Sequence, residues 1–123
     1  MPSIFSSLGL TTAHDAINCG ESPSGRELLF LVDGLGADVL AQYAEVAPAL
    51  SAMTLHGTIT TSFPSTTATS LATLTTGEMP GTHGMLGYTV QVPRSGGRVL
   101  NSLKWDERVD PVIWQPVPTL FER

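Results

Sequence analysis

Most side chains between Pro64 and Gly77 are hydroxyls, in the run Pro-Ser-Thr-Thr-Ala-Thr-Ser-Leu-Ala-Thr-Leu-Thr-Thr-Gly. Proline ends any strand that precedes it, Ser65 or Thr66 can cap a helix that follows, and Gly77 supplies the left-handed residue on which helices stop. This frame predicts a helix reaching Thr76, with Ala68, Leu71, Ala72 and Leu74 on its inner face. Threonine is an indifferent helix former, so packing or function has to hold this helix. Its start gathers backbone N–H groups, where phosphate is readily held.

The remaining chain supplies a frame for that helix. Glu27–Asp33 is a continuous apolar run of strand length, as expected for a strand buried on both faces of a parallel sheet. Gly34 and Gly36 turn the chain into a predicted helix over Ala37–Ala44, burying Val39, Leu40 and Tyr43. Pro48 starts a second short helix with Leu50 and Met53 inward. Thr54–Phe63 is β-branched and alternating, which predicts a second strand. Gly81–Gly87 reads as a loop. Tyr88–Val92 and Arg98–Leu103 flank Pro93-Arg-Ser-Gly-Gly97 as a β-hairpin. Thr119–Arg123 looks like a single capped helical turn. Residues 1–26 read as an irregular lead-in. Strand–helix–strand–helix order predicts an α/β sheet with right-handed crossovers.

Composition narrows the function classes. A chain of 123 residues with 41% hydrophobic and 14% charged residues is a small globular domain, and its net charge of −5 is dispersed. Six Lys and Arg that never cluster argue against a nucleic-acid surface. Cys19 is alone, which excludes an intrachain disulfide and a multi-cysteine zinc site. The start Met-Pro-Ser-Ile-Phe-Ser-Ser lacks a basic, apolar leader, and nowhere do about 18 apolar residues run together. Cytoplasm is the expected compartment, with no membrane span; oligomeric state is not legible.

Three positions carry candidate chemistry. Asp33, at the end of a buried strand, would project into the crevice where α/β folds place ligands; a turn aspartate bonded to its own backbone is the alternative of equal weight. Thr66 and Thr67 stand at the helix start, where a hydroxyl is either a cap or, if a metal lowers its pKa, a nucleophile. His83, in Pro80-Gly-Thr-His-Gly84, fits a turn-fixing role better than that of a metal ligand. His14 and His56 have no partners at ligand spacing, and Asp106 and Asp110 read as solvated loop charges. Gly34-Leu-Gly36 only partly matches a dinucleotide-binding G-x-G-x-x-G, because Val39 holds the third glycine position.

Taken together, strand-Asp33-Gly34, the threonine helix ending Thr76-Gly77, and the following Pro80…His83-Gly84 resemble the type I phosphodiesterase/nucleotide pyrophosphatase family of the alkaline phosphatase superfamily, over roughly Glu27–Tyr88. The resemblance implies a metal-dependent phosphohydrolase with two divalent metal ions, zinc, acting on a small phosphate ester or nucleotide through a phosphothreonine intermediate. It implies that Asp33 and Thr67 bind metal and that Thr67 is the nucleophile. Counting back from Thr76-Gly77 selects Thr67; Thr66 is second, and Ser62, in a Ser-Phe-Pro-Ser that looks like the family's Thr-Phe-Pro-Asn, is third. Tyr88 stands where the family tends to carry an asparagine that donates to a phosphoryl oxygen, so it is the substrate-binding candidate.

The fold implied is part of an alkaline-phosphatase-like sandwich, a mostly parallel sheet flanked by helices, with residues 27–123 as the N-terminal part of one catalytic domain. The family's remaining ligands, including an Asp-His pair, are expected beyond Arg123, so the isolated chain is expected to be inactive. Two rival readings are a Rossmann-like nucleotide-binding domain and a non-catalytic α/β fragment.

Overall fold

The computed structural model describes residues 1–11, 13–22 and 25–123; Thr12, Pro23 and Ser24, inside the stretch read as a lead-in, lie outside the described residues. The chain divides into two compact units, one of residues 3–60 and one of residues 61–123 with Met1 and Pro2. It is a small mixed α/β protein. Its helices are α1 (Pro2–Ser7), α2 (Ala37–Gln42), α3 (Pro48–Ser51), α4 (Thr67–Thr76), α5 (Pro80–His83) and α6 (Pro111–Trp114), with a 3₁₀ turn at Ala44–Val46. Strands β1 (Thr89–Gln91) and β2 (Val99–Asn101) complete the list of described elements.

In the 61–123 unit, α4 forms where the proline–glycine frame predicts it. Thr66 caps it, its Oγ1 accepting from the Thr69 N–H at 3.4 Å, and Gly77 ends it at φ 72° with its N–H donating to the Thr73 carbonyl. The Thr75 carbonyl, one of those a helix end leaves without an internal partner, accepts from the Leu120 N–H at 2.9 Å. A Cβ at residue 77 would stand 3.2 Å from both Leu120 Cδ1 and Pro2 Cγ, so glycine is required here by conformation and by space.

Of the apolar residues expected on the inner face of α4, Ala68 is buried, Ala72 and Leu74 are half-buried and Leu71 is exposed, and the most deeply buried side chains are Thr69 and Thr76. Thr66, Thr69, Thr73 and Thr76 recur at helical spacing and form a stripe of hydroxyls. Each is satisfied close at hand. Thr66 Oγ1 and Thr69 Oγ1 are 3.0 Å apart, Thr73 Oγ1 is 2.9 Å from His83 Nε2, and Thr76 Oγ1 donates to the Ala72 carbonyl at 2.6 Å. Buried hydroxyls cost little when paired in this way. The stripe of Ala68, Leu71, Ala72 and Thr75 instead lines an open groove of about 490 Å³ walled by Met85, Trp105 and the prolines after α6.

The rest of this unit follows the sequence closely. Pro80 opens α5, a single helical turn where a loop was expected to begin, and Gly84 at φ 73° closes it. The hairpin forms as expected, antiparallel with Thr89 opposite Asn101, Val90 opposite Leu100 and Gln91 opposite Val99. Ser95 Oγ donates to the Val92 carbonyl and accepts from the Arg98 N–H, tying the turn. Ala68, Leu100, Val109 and Leu120 are the buried apolar side chains among the described residues, and all belong to this unit. Thr119 and Glu122 make the expected capping bonds, Glu122 Oε2 accepting from the Thr119 N–H and hydroxyl, over a turn rather than a helix.

The 3–60 unit departs from expectation. Its lead-in begins with α1, whose buried Ser3 Oγ accepts from the Ala16 and Ile17 N–H groups. The predicted helices appear as α2 and α3, but Val39, Tyr43 and Met53, expected inward, are exposed. The predicted strands at Glu27–Asp33 and Thr54–Phe63 do not form. Both segments are irregular, and among the described residues the sheet is the two-stranded hairpin alone. Leu28 is 91% and Phe30 69% exposed. A strand makes its hydrogen bonds with neighbours rather than within itself, so an apolar run without paired strands has nothing to fix it as β-structure. A parallel sheet is therefore not present in these residues.

Candidate active site

The start of α4 separates the three candidate nucleophiles by local role. Thr66 has extended backbone, φ −104° and ψ 151°, and its hydroxyl is committed to the cap and to Thr69. Thr67 is the first helical residue and is half-buried, with its side chain at the end of the helix where the backbone dipoles leave positive partial charge. Ser62 precedes Phe63 and Pro64 and lies outside the helix, also half-buried.

His83 is held by both ring nitrogens. The Met85 backbone N–H donates to Nδ1 at 3.1 Å, so Nδ1 carries no proton, and Nε2 therefore carries the proton and donates to Thr73 Oγ1 at 2.9 Å. The ring is 1% exposed. Burial pushes its pKa down and the Glu78 carboxylate pushes it up, with burial the larger effect. Both nitrogens serve the backbone turn and α4, which fits the turn-fixing role read from the sequence. The Thr73 partner was missed. Its signal was the threonine spacing of three and four along α4, visible in the sequence but read there for its apolar residues alone.

Tyr88 follows the loop that His83 opens. Its ring is 46% exposed, and its carbonyl accepts from the Ser102 N–H at 2.8 Å while Ser102 Oγ donates to the Gly87 carbonyl. The hairpin thus fixes the backbone at Tyr88 and leaves the phenol to the surface. Asp33 belongs to the other unit, exposed, in a turn with Gly34 at φ 75°. Of the candidates, Ser62, Thr66, Thr67 and Tyr88 share the 61–123 unit and Asp33 does not.

The loop charges have local duties. Asp106 pairs with Arg108 at 2.6 Å, which holds its carboxyl far below the usual range, and Asp110 Oδ1 caps α6 by accepting from the Val112 N–H at 2.9 Å. Among the described residues no three His, Cys, Asp or Glu side chains come together as metal ligands. Zinc sites use at least three protein ligands, so these residues do not by themselves make one. No helix among them is long and apolar enough to cross a membrane.

None of the curated proteins and none of the solved structures matches the chain. The model of the type I phosphodiesterase/nucleotide pyrophosphatase family does match, over residues 28–123, which takes in Asp33, the threonine helix, the His83 turn and the hairpin. The chain belongs to the type I phosphodiesterase/nucleotide pyrophosphatase family.

Proposed function

We propose that this chain carries the nucleophile end of a phosphohydrolase acting on phosphate diesters or nucleotide anhydrides, with Thr67 as the nucleophile. The observation that carries this reading is the family match over residues 28–123, which takes in the start of α4, where Thr66 is the cap and Thr67 the first helical residue. In this reading Thr67 Oγ1 attacks phosphorus in line with the leaving oxygen. The Oγ–P bond forms, the P–O bond to the leaving group breaks, and the hydroxyl proton passes through solvent to the leaving oxygen. The phosphothreonine, which keeps the remaining ester group of a diester or nucleotide, is later opened by water. The N-terminal N–H groups and dipole of α4 stabilise the charge on the equatorial oxygens. Tyr88 contributes a phenol to the substrate.

The reading takes two divalent ions, zinc, as the cofactor, with Asp33 and Thr67 proposed among their donors. Such ions would lower the pKa of the attacking hydroxyl. Because no three-ligand cluster exists among the described residues, the missing donors would come from outside them. Residues 27–123 would then be the first part of one alkaline-phosphatase-like catalytic domain, and the exposed run at Leu28–Val32 a strand awaiting its neighbours in a parallel sheet.

The test is hydrolysis of bis-p-nitrophenyl phosphate and p-nitrophenyl phosphate with added zinc, by this chain and by any natural extension of it. Activity that falls roughly a thousandfold or more in Thr67→Ala but survives in Thr66→Ala would support the assignment. Full activity in Thr67→Ala would reject Thr67 as the nucleophile.

A further inference from the structure

The buried histidine between α4 and the loop to Tyr88 has a chemical consequence of its own. Nδ1 accepts from Met85 and Nε2 donates to Thr73, so one neutral ring, in one tautomer, joins the middle of α4 to the first residues after the His83-Gly84 turn. Thr73 lies six residues, less than two turns, along the helix from Thr67, and Met85 lies three residues before Tyr88. We propose that His83 is a positioning residue whose two ring bonds hold Met85, and with it the start of the segment that leads to Tyr88, against α4, and that this tie exists only while the ring is neutral. Gly87 and Tyr88 are held separately, by Ser102 of the hairpin.

Protonation would undo the tie. A second ring proton can only go on Nδ1, where it would face the Met85 N–H, donor against donor. The ring's surroundings agree with a neutral state. No ionisable side chain lies on α4, none but His83 lies on α5, and Tyr88 is the one titratable group in the segment that follows. Glu78 is the carboxylate that favours the charged ring, and it is itself paired with Arg123 at 3.4 Å. Acid should therefore free Met85 while α4 keeps its cap and its other hydroxyl bonds and the hairpin keeps Tyr88.

The experiment is NMR of the whole chain, labelled with ¹⁵N, across a pH series, with ring nitrogens of His83 and amides of Met85 and Tyr88 as readouts. The expected result is a neutral ring protonated on Nε2, titrating below an ordinary histidine, with the Met85 signal moving at the same midpoint and Tyr88, held by the hairpin, moving less. A proton on Nδ1 at neutral pH would overturn the proposal. So would titration of His83 with Met85 unmoved.

Two variants separate the bonds. His83→Asn keeps an acceptor near the Nδ1 position and should retain slow exchange at Met85. His83→Gln keeps a donor toward Thr73 and should speed Met85 exchange by about tenfold, the worth of one lost hydrogen bond. Equal exchange at Met85 in the two variants would contradict the assignment of Nδ1. None of these readouts needs turnover, so an inactive chain would leave this proposal standing, and a failed tie would leave Thr67 untouched.

Discussion

The two units handle apolar and polar residues in opposite ways. Residues 61–123 bury threonines and a histidine, each bonded to a neighbour a few residues away, and expose part of their apolar surface to a groove. Residues 3–60 contain the most apolar run of the chain and leave Leu28, Leu29, Phe30, Leu31 and Val32 exposed. The difference lies in the range of the interactions each unit needs. A capped helix with hydroxyls bonded to its own turns closes its hydrogen bonds within about a dozen residues, and the hairpin closes its own between Thr89–Gln91 and Val99–Asn101. A β-strand closes none until another strand lies beside it. Hydrophobicity alone thus does not predict which segment forms regular secondary structure; the availability of local hydrogen-bond partners does.

That contrast can be broken or sharpened, most strongly at Leu100. It is the largest fully buried apolar side chain, and it lies opposite Val90 in the hairpin. Leu100→Ala should cost about 3 kcal/mol, in the range for emptying a buried leucine site. Urea denaturation followed by the fluorescence of Trp105 and Trp114, both in the 61–123 unit, measures it. A loss below about 1 kcal/mol would show that this unit has no packed core to lose.

Gly77→Ala comes next, at about 1–2 kcal/mol, because alanine at φ 72° is strained and its Cβ meets Leu120 and Pro2 at 3.2 Å. The same denaturation curve reads it, and an unchanged midpoint would mean that α4 ends elsewhere in solution.

The pH dependence tests the buried polar stripe directly. Burial lowers the His83 pKa in the folded chain below its ordinary value of 6.5, so the native state prefers the neutral ring more than the unfolded chain does. Its contribution is complete above about pH 6.5 and is lost as pH falls from there through the lower native value. The urea midpoint of the wild type should decline over that window more steeply than that of His83→Asn. Parallel profiles would remove His83 from the account.

The smallest effect is expected in the other unit. Leu28→Asp replaces a side chain that is 91% exposed and should change stability by no more than about 0.5 kcal/mol. A larger loss would show that the 27–33 segment is packed in solution, and the contrast between the units would fail.

Much of the 61–123 unit was legible in the sequence because its signals are local. Pro64 and Gly77 bracket α4, Thr66 caps it, and the Pro93–Gly97 turn sets the hairpin. The strands at 27–33 and 54–63 were misread because an apolar or alternating run reports what a segment would bury, not whether a neighbour is present to pair with it. The inner face of α4 was misread for a related reason. The sequence reading ranked residues by hydrophobicity, whereas Thr69 and Thr76 are fully buried, and the hydroxyls of the stripe at Thr66, Thr69, Thr73 and Thr76 are satisfied by hydrogen bonds. At the candidate site, the motif residues were found in the sequence, but the separation of Thr66 from Thr67 needed the capping geometry.

The measurement that bears most directly on the account is a search for covalent phosphate on the protein during turnover. A preparation hydrolysing bis-p-nitrophenyl phosphate is quenched in acid, digested, and its peptides are sequenced by mass spectrometry. The account predicts a p-nitrophenyl phosphoryl group on Thr67, one nitrophenolate having left, that is absent without substrate and absent in Thr67→Ala. Phosphate on Thr66 or Ser62 instead, or turnover with no phosphorylated peptide at all, would contradict it.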